Sequence, residues 1–168
     1  MKDTVQLNNN LVEINEKVFL QKSLTLSEFQ NEKEGKEYDA CRFKLNGENI
    51  ICRSSKVTPK KVGQFVTFWK RNKEGETTPF DENDPIDFYF VICKDEKNFG
   101  QFVFPIFELI KRGIVSTKTK TGKRGFRVYP KWCEVTSKQA IKTQEWQLNF
   151  FAEIDDSIER EEIYEKYF

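Results

Sequence analysis

Asn46-Gly47 stands between two runs in which polar and apolar residues alternate, Tyr38 to Leu45 before it and Glu48 to Arg53 after it. In that setting the pair predicts a two-residue hairpin turn, because both central positions need a positive φ that Gly, and next to it Asn, adopts at least cost. The register follows from the turn: Leu45 opposes Glu48, Cys41 opposes Cys52, Asp39 opposes Ser54 and Glu37 opposes Lys56. Opposed residues share a face, so this register gathers Glu37, Asp39 and Lys56 at the open end of the hairpin.

Other elements are placed around it by the period of their apolar residues. Leu7, Leu11, Ile14 and Phe19 predict a helix over about residues 4 to 20, and Ser27 with Glu28 a short second one. Gly63 to Arg71 has strand character, 72–84 is a polar loop, and Ile86 to Cys93 is an apolar run suited to a central strand covered on both faces. Phe99 to Phe104 is a further strand, and a short helix has Pro105 at its first position and ends before Gly113. Val115 to Lys120, Thr121-Gly122 and Gly125 to Tyr129 predict a second hairpin. Thr136 or Ser137 caps a helix running to about Phe151, and an acidic helix spans Ser157 to Tyr167. With no repeat and no low-complexity linker, residues 1–168 are expected to form a single α+β domain, a central mixed sheet with flanking helices.

Histidine is absent, which removes imidazole as base, nucleophile partner or metal ligand and leaves any catalysis to carboxylates, lysine or an oxygen-bound metal. Cys41, Cys52, Cys93 and Cys133 form no Cys-x-x-Cys pair, so no zinc ribbon is expected and the thiols should be free. No cofactor is expected. Asp3 sits where a signal peptide would be basic, and no apolar run approaches the ~20 residues that cross a bilayer, so the expected location is the cytoplasm, away from membranes.

The net charge of +1 conceals a segregation of charge. Arg53 to Lys73 and Lys111 to Lys131 contain no Asp or Glu, whereas the segments around them are rich in both. Such blocks point to an anionic partner. Lys60, Lys61, Lys70 and Arg71 surround Phe65, Phe68 and Trp69, and Lys123, Arg124, Arg127 and Lys131 surround Phe126, Tyr129 and Trp132. Cations for phosphates interleaved with rings for bases suit nucleic acid, DNA or RNA, a single strand in particular. The candidate contacts are Arg53, Lys60, Lys61, Lys70, Arg71, Lys118, Lys120, Lys123, Arg124, Arg127, Lys131 and Trp132, with Phe65 and Phe68 assigned to the core. An alternative is a protein-interaction adaptor in which the basic blocks meet an acidic partner and the acidic tail, Glu153 to Glu165, either shields them or docks elsewhere.

Asp39, Glu37 and Lys56 at the hairpin's end resemble the active centre of restriction-endonuclease-like nucleases, in which an Asp and an acid-x-Lys triplet bind Mg²⁺. The resemblance implies a restriction-endonuclease-like core with catalytic Asp39, Lys56 and Glu37, or Glu28 in its place, and Mg²⁺ enters only through it. Here Ser54-Ser55-Lys56 replaces acid-x-Lys, and a serine hydroxyl is a weaker ligand for Mg²⁺ than a carboxylate, so a degenerate site is expected. The strings from Tyr38 to Phe43, Lys56 to Thr67, Trp69 to Arg71 and Gly125 to Pro130, with Trp132, Gln144, Trp146 and Gln147, resemble the MepB-like family. That resemblance implies a nuclease-like, nucleic-acid-binding fold and association with a multidrug efflux operon. It supplies no substrate.

Overall fold

The computed structural model of the chain describes residues 6–155 and 162–168. Asn8 Oδ1 accepts from Leu11 N at 2.9 Å, and behind that cap α1 (Asn9–Ile14) continues into a π-helical turn, Asn15–Phe19. Leu11, Ile14, Val18 and Phe19 are buried, as their spacing predicts. The short helix expected at Ser27 is instead strand β1 (Leu26–Asn31), paired antiparallel with the next strand. Its register shifts between Ser27 and Gln30 and Glu28 has φ 52°, so an irregularity hides the period-two signal.

Strands β2 (Cys41–Leu45) and β3 (Glu48–Ser54) form the predicted hairpin, with Cys41 opposite Cys52, Phe43 opposite Ile50 and Leu45 opposite Glu48. Asn46 (φ 49°) and Gly47 (φ 82°) take the left-handed conformations that the turn demands. The expected strand from Gly63 to Arg71 breaks at Phe68. Its first half, β5 (Gln64–Thr67), pairs with β4 (Lys56–Val57), and its second, β6 (Trp69–Arg71), pairs with β7 (Thr77–Pro79) inside the expected polar loop. β8 (Phe88–Lys94) and β9 (Phe99–Pro105) match the apolar runs, and Pro105 caps α2 (Ile106–Lys111).

The second predicted hairpin does not form. Residues 115–124 are irregular, and β10 (Gly125–Val128) pairs with β5 across the sequence. Ser137 caps α3 (Lys138–Gln147), a 3-10 turn follows, and β11 (Phe151–Glu153) returns to the sheet, so the predicted helix ends earlier than Phe151. Of the acidic helix, α4 (Glu162–Tyr167) is seen; the rest of its predicted span, 157–161, lies outside the described residues.

Among the described residues the main sheet runs β1-β2-β3-β8-β9-β11, a smaller sheet runs β10-β5-β4, and β6-β7 is a separate ribbon. Only β3 with β8 is parallel in the main sheet, which makes it mixed. Alternation along β8 divides the core in two. Phe88 and Phe90 face α1 and α4: Phe90 lies 6.3 Å from Phe19, and Phe88 lies 5.4 Å from Tyr167 and 4.8 Å from Phe168, centre to centre. Tyr89 points the other way, stacked on Phe68 at 4.0 Å with its hydroxyl donating to Thr67 O at 2.7 Å. Phe104 on that same side meets Phe126 and Trp146. The structure is thus α+β, with helices on both faces of a mixed sheet and the smaller sheet on the face of α3.

The described part of the acidic tail docks through its apolar residues. Ile163 and Tyr164 are buried, the Tyr164 hydroxyl bonds Gln101, and α4 lies on the face opposite the smaller sheet. No helix among the described residues is long and apolar enough to cross a membrane. Deleting residues 162–168 should uncover Phe88 and Phe90 and lower the melting temperature by ten degrees or more, at roughly 3–5 kcal/mol for each large aromatic lost. Thermal unfolding followed by circular dichroism checks this, and an undiminished melting temperature would contradict it.

Candidate functional site

At the open end of the β2–β3 hairpin the predicted register stops at Cys41 and Cys52. Upstream the chain leaves through a 3-10 turn, Lys36–Tyr38, bounded by left-handed Gly35 (φ 76°) and Asp39 (φ 50°), conformations open to Gly and tolerated by Asp. Downstream, Ser55 N donates to Ile92 O at 2.8 Å and Lys56 passes into the smaller sheet opposite Phe65. Asp39 and Glu37 are therefore not the cross-strand partners of Ser54 and Lys56. The Lys56 ammonium sits 4.6 Å from the centre of the Tyr38 ring, and Glu37 and Asp39 are exposed. Glu28 is engaged by Lys44 at 2.9 Å on β1. Among the described residues no three acids or cysteines are arranged to hold a metal ion.

The cations of the two basic blocks divide by use. Arg53, 2% exposed, reaches from β3 to donate to Thr67 Oγ1 (2.9 Å) and Trp69 O (3.1 Å), tying the main sheet to the break at Phe68. Lys70 is clasped by Asp81 (2.9 Å) and Asp84 (2.7 Å); burial works against its charge, but these carboxylates outweigh it and hold its pKa above the ordinary lysine value. Arg71 pairs with Glu34 at 2.6 Å, and its hydrogen bond holds that carboxyl below the usual range. Arg124 donates to Thr77 O at 3.0 Å. Trp132 is partly exposed and packs edge-on against Phe151 at 5.6 Å. Lys60, Lys61, Lys118, Lys120, Lys123 and Lys131 are exposed and make no ion pair among the described residues.

Two of those free lysines meet at a cleft of about 460 Å³ between α3 and the smaller sheet. Lys61 reaches it from the loop before β5, Lys123 and Arg127 from the second block, and Arg112 from the end of α2. Phe126, Tyr129 and Trp146 supply rings, Gln139, Thr143 and Gln147 neutral polar groups, and none of the lining residues is acidic. A second hollow of about 280 Å³ shares Lys61, Arg127 and Tyr129 and extends to Thr136 and Ser137 at the start of α3.

The walls are built by polar bonds. Arg127 donates to Thr58 Oγ1 and to Val62 O (3.2 Å), Lys61 O (3.3 Å) and Gly63 O (3.4 Å), folding the 58–63 loop over β10. Gly63 permits the approach: its φ is 86°, and a Cβ there would come 2.7 Å from the Tyr129 ring. Gln144 Nε2 donates to Pro130 O (3.1 Å) and Cys133 O (3.0 Å), and Gln147 bonds both Tyr129 N (2.8 Å) and Arg127 O (3.0 Å). Arg112, Trp146, Gln139 and Thr143 were not foreseen as site residues. The legible signal was the spacing of Glu108 and Arg112, which pair at 2.9 Å across one helical turn. Arg127→Ala should cost about 2 kcal/mol by freeing the loop, since several charge-assisted bonds are lost, while Lys123→Ala should stay within about 0.5 kcal/mol of wild type. Urea unfolding of the two variants measures the difference, and equal stabilities would refute the structural role of Arg127.

The MepB-like family model matches residues 32–153. A solved structure described as the crystal structure of MepB is similar with a TM-score of 0.78 and 31% identity, over 89% of this chain and 99% of that one. A bacterial homing endonuclease is a weaker structural neighbour, with a TM-score of 0.44 and 16% identity over 84% of this chain and 87% of that one. Among curated protein sequences no match is found. The family model spans most of the chain and includes both basic blocks, the hairpin and α3, and on that match the chain belongs to the MepB-like family.

Proposed function

We propose that the protein binds nucleic acid with little regard to sequence, through the basic cleft between α3 and the smaller sheet. The observation that carries this is the convergence of the two acid-free blocks, well apart in the sequence, on one cleft whose lining includes Lys61, Arg112, Lys123 and Arg127 and no carboxylate. Cations around aromatic rings, in a cleft whose lining carries no carboxylate, attract a phosphate backbone, and release of its counterions supplies most of the binding energy. Neutral Gln139 and Thr143 can bond many base edges and favour none, which fits tolerance of sequence.

The end of the hairpin fits a degenerate centre. Ser54 stands where acid-x-Lys would have its acid, and Lys56 lies over Tyr38 and forms no ion pair with Asp39 among the described residues. In this reading Asp39, Glu37 and Lys56 are vestiges on an endonuclease-like core. Lys61, Lys123 and Arg112 act in their place as the working surface.

Fluorescence anisotropy with labelled single-stranded oligonucleotides at several salt concentrations tests the proposal. The wild type should bind at low salt and weaken steeply as salt rises. Lys61→Ala with Lys123→Ala should weaken binding to all sequences about equally and make the slope of log K against log salt shallower by roughly 1.4, or 0.7 for each phosphate contact removed. A wild type that binds no oligonucleotide at low salt, or a double variant with an unchanged slope, would overturn it.

A further inference from the structure

We propose, building on the nucleic-acid reading, that Arg112 is a shelf on which one unpaired base stacks, so that the cleft selects single strands over duplex. The shelf is the last member of a pile. Phe102 stacks on Phe104 at 5.1 Å with 8° between the rings, Phe104 meets Trp146 at 5.6 Å, and the Arg112 guanidinium carbon lies over the Trp146 ring, 4.7 Å from its centre. The two phenylalanines are fully buried in the main sheet, so the pile stands on the core. Arg112 and Trp146 both line the cleft, and the Arg112 side chain is 34% exposed.

Glu108 fixes the position of the shelf. It is buried on α2 and accepts Arg112 Nε at 2.9 Å, which restrains the guanidinium while committing only one of its nitrogens. Nη1 and Nη2 have no hydrogen-bond partner among the described residues, so both remain available to a base edge or a phosphate. A cation placed only to attract phosphate needs no restraint of this kind; Lys61 and Lys123 in the same cleft have none. A flat, oriented guanidinium backed by an indole is suited to the face of a base.

The selectivity follows from what a duplex withholds. Bases within a duplex have both faces covered by their neighbours, whereas an unpaired base can turn its face to a stacking platform. The cleft, of about 460 Å³, has the volume of a pocket for one small ligand such as a single base.

Arg112→Lys separates charge from plane. The probe is an oligothymidine carrying one 2-aminopurine, free and as its duplex, read by anisotropy and by 2-aminopurine quenching. Wild type should bind the single strand more tightly and quench the probe. Arg112→Lys should lose roughly tenfold in single-strand affinity together with the quenching, yet keep its duplex affinity and salt slope. Glu108→Gln, which leaves Arg112 in place but loosens it, should show a smaller loss in the same direction and guards against a folding defect in the first variant. Wild-type binding with Arg112→Lys indistinguishable from it, or with single-strand and duplex affinity falling together, would overturn the shelf alone. Absence of wild-type binding to either probe would overturn the nucleic-acid reading and the shelf with it.

Discussion

The side chain of Gln147 takes the place of a missing strand. β10 is an edge of the smaller sheet, and on its outer side Arg127 O and Tyr129 N would need either water or another chain. Gln147, wholly buried, donates to the first and accepts from the second, as a neighbouring backbone amide would. Edge closure and helix docking are thereby one interaction. α3 has few apolar residues to bury, Ala140 and Trp146 among them, so its position rests on Gln147 and Gln144 more than on a greasy stripe. Every other feature of the cleft depends on that position: the Trp146 ring beside Arg112, the roof of the 58–63 loop, and the separation of α3 from Lys61. A buried amide satisfied on both its groups costs little to keep, but an apolar replacement would leave two backbone groups unpaired.

Features of the fold that are local in sequence were legible in it. The Asn46-Gly47 turn specified the β2–β3 register to the residue, and the run in β8 identified the centre of the sheet. What failed was non-local or irregular. β10 carries an alternation that suits a hairpin with the residues just before it, yet it pairs with β5 some sixty residues earlier, and nothing in the short-range pattern could choose between them. The residues passed over, 114–123, are held by turns such as Ser116 Oγ to Gly122 N (2.7 Å) and Ile114 O to Lys123 N (2.9 Å). β1 was mistaken for a helix because Glu28 interrupts its alternation.

The site was legible as charge but not as geometry. The acid-free spacing marks both blocks, yet it does not separate cations held within the fold from those left at the surface. Arg53, Lys70, Arg71, Arg124 and Arg127 are held within the fold by carbonyls, hydroxyls or distant acids. Arginine predominates among them, as expected of a side chain whose fork can join several acceptors at once. Most of the cations left exposed without ion pairs are lysines, whose flexible ammonium groups suit loose phosphate contact. The partnership of Arg112 with Trp146 joins α2 to α3 and had no sequence signal beyond the Glu108 spacing.

On the proposed function, the cleft beside α3 and not the end of the β2–β3 hairpin is the surface that meets nucleic acid. Titration of isotope-labelled protein with an oligothymidine, followed by backbone amide and indole N–H resonances, tests this most directly. The predicted result is that shifts cluster at Lys61, Arg112, Lys123, Tyr129 and the Trp146 indole while Glu37, Asp39 and Lys56 stay still. Shifts concentrated at Glu37, Asp39 and Lys56 with the α3 face unmoved would contradict it.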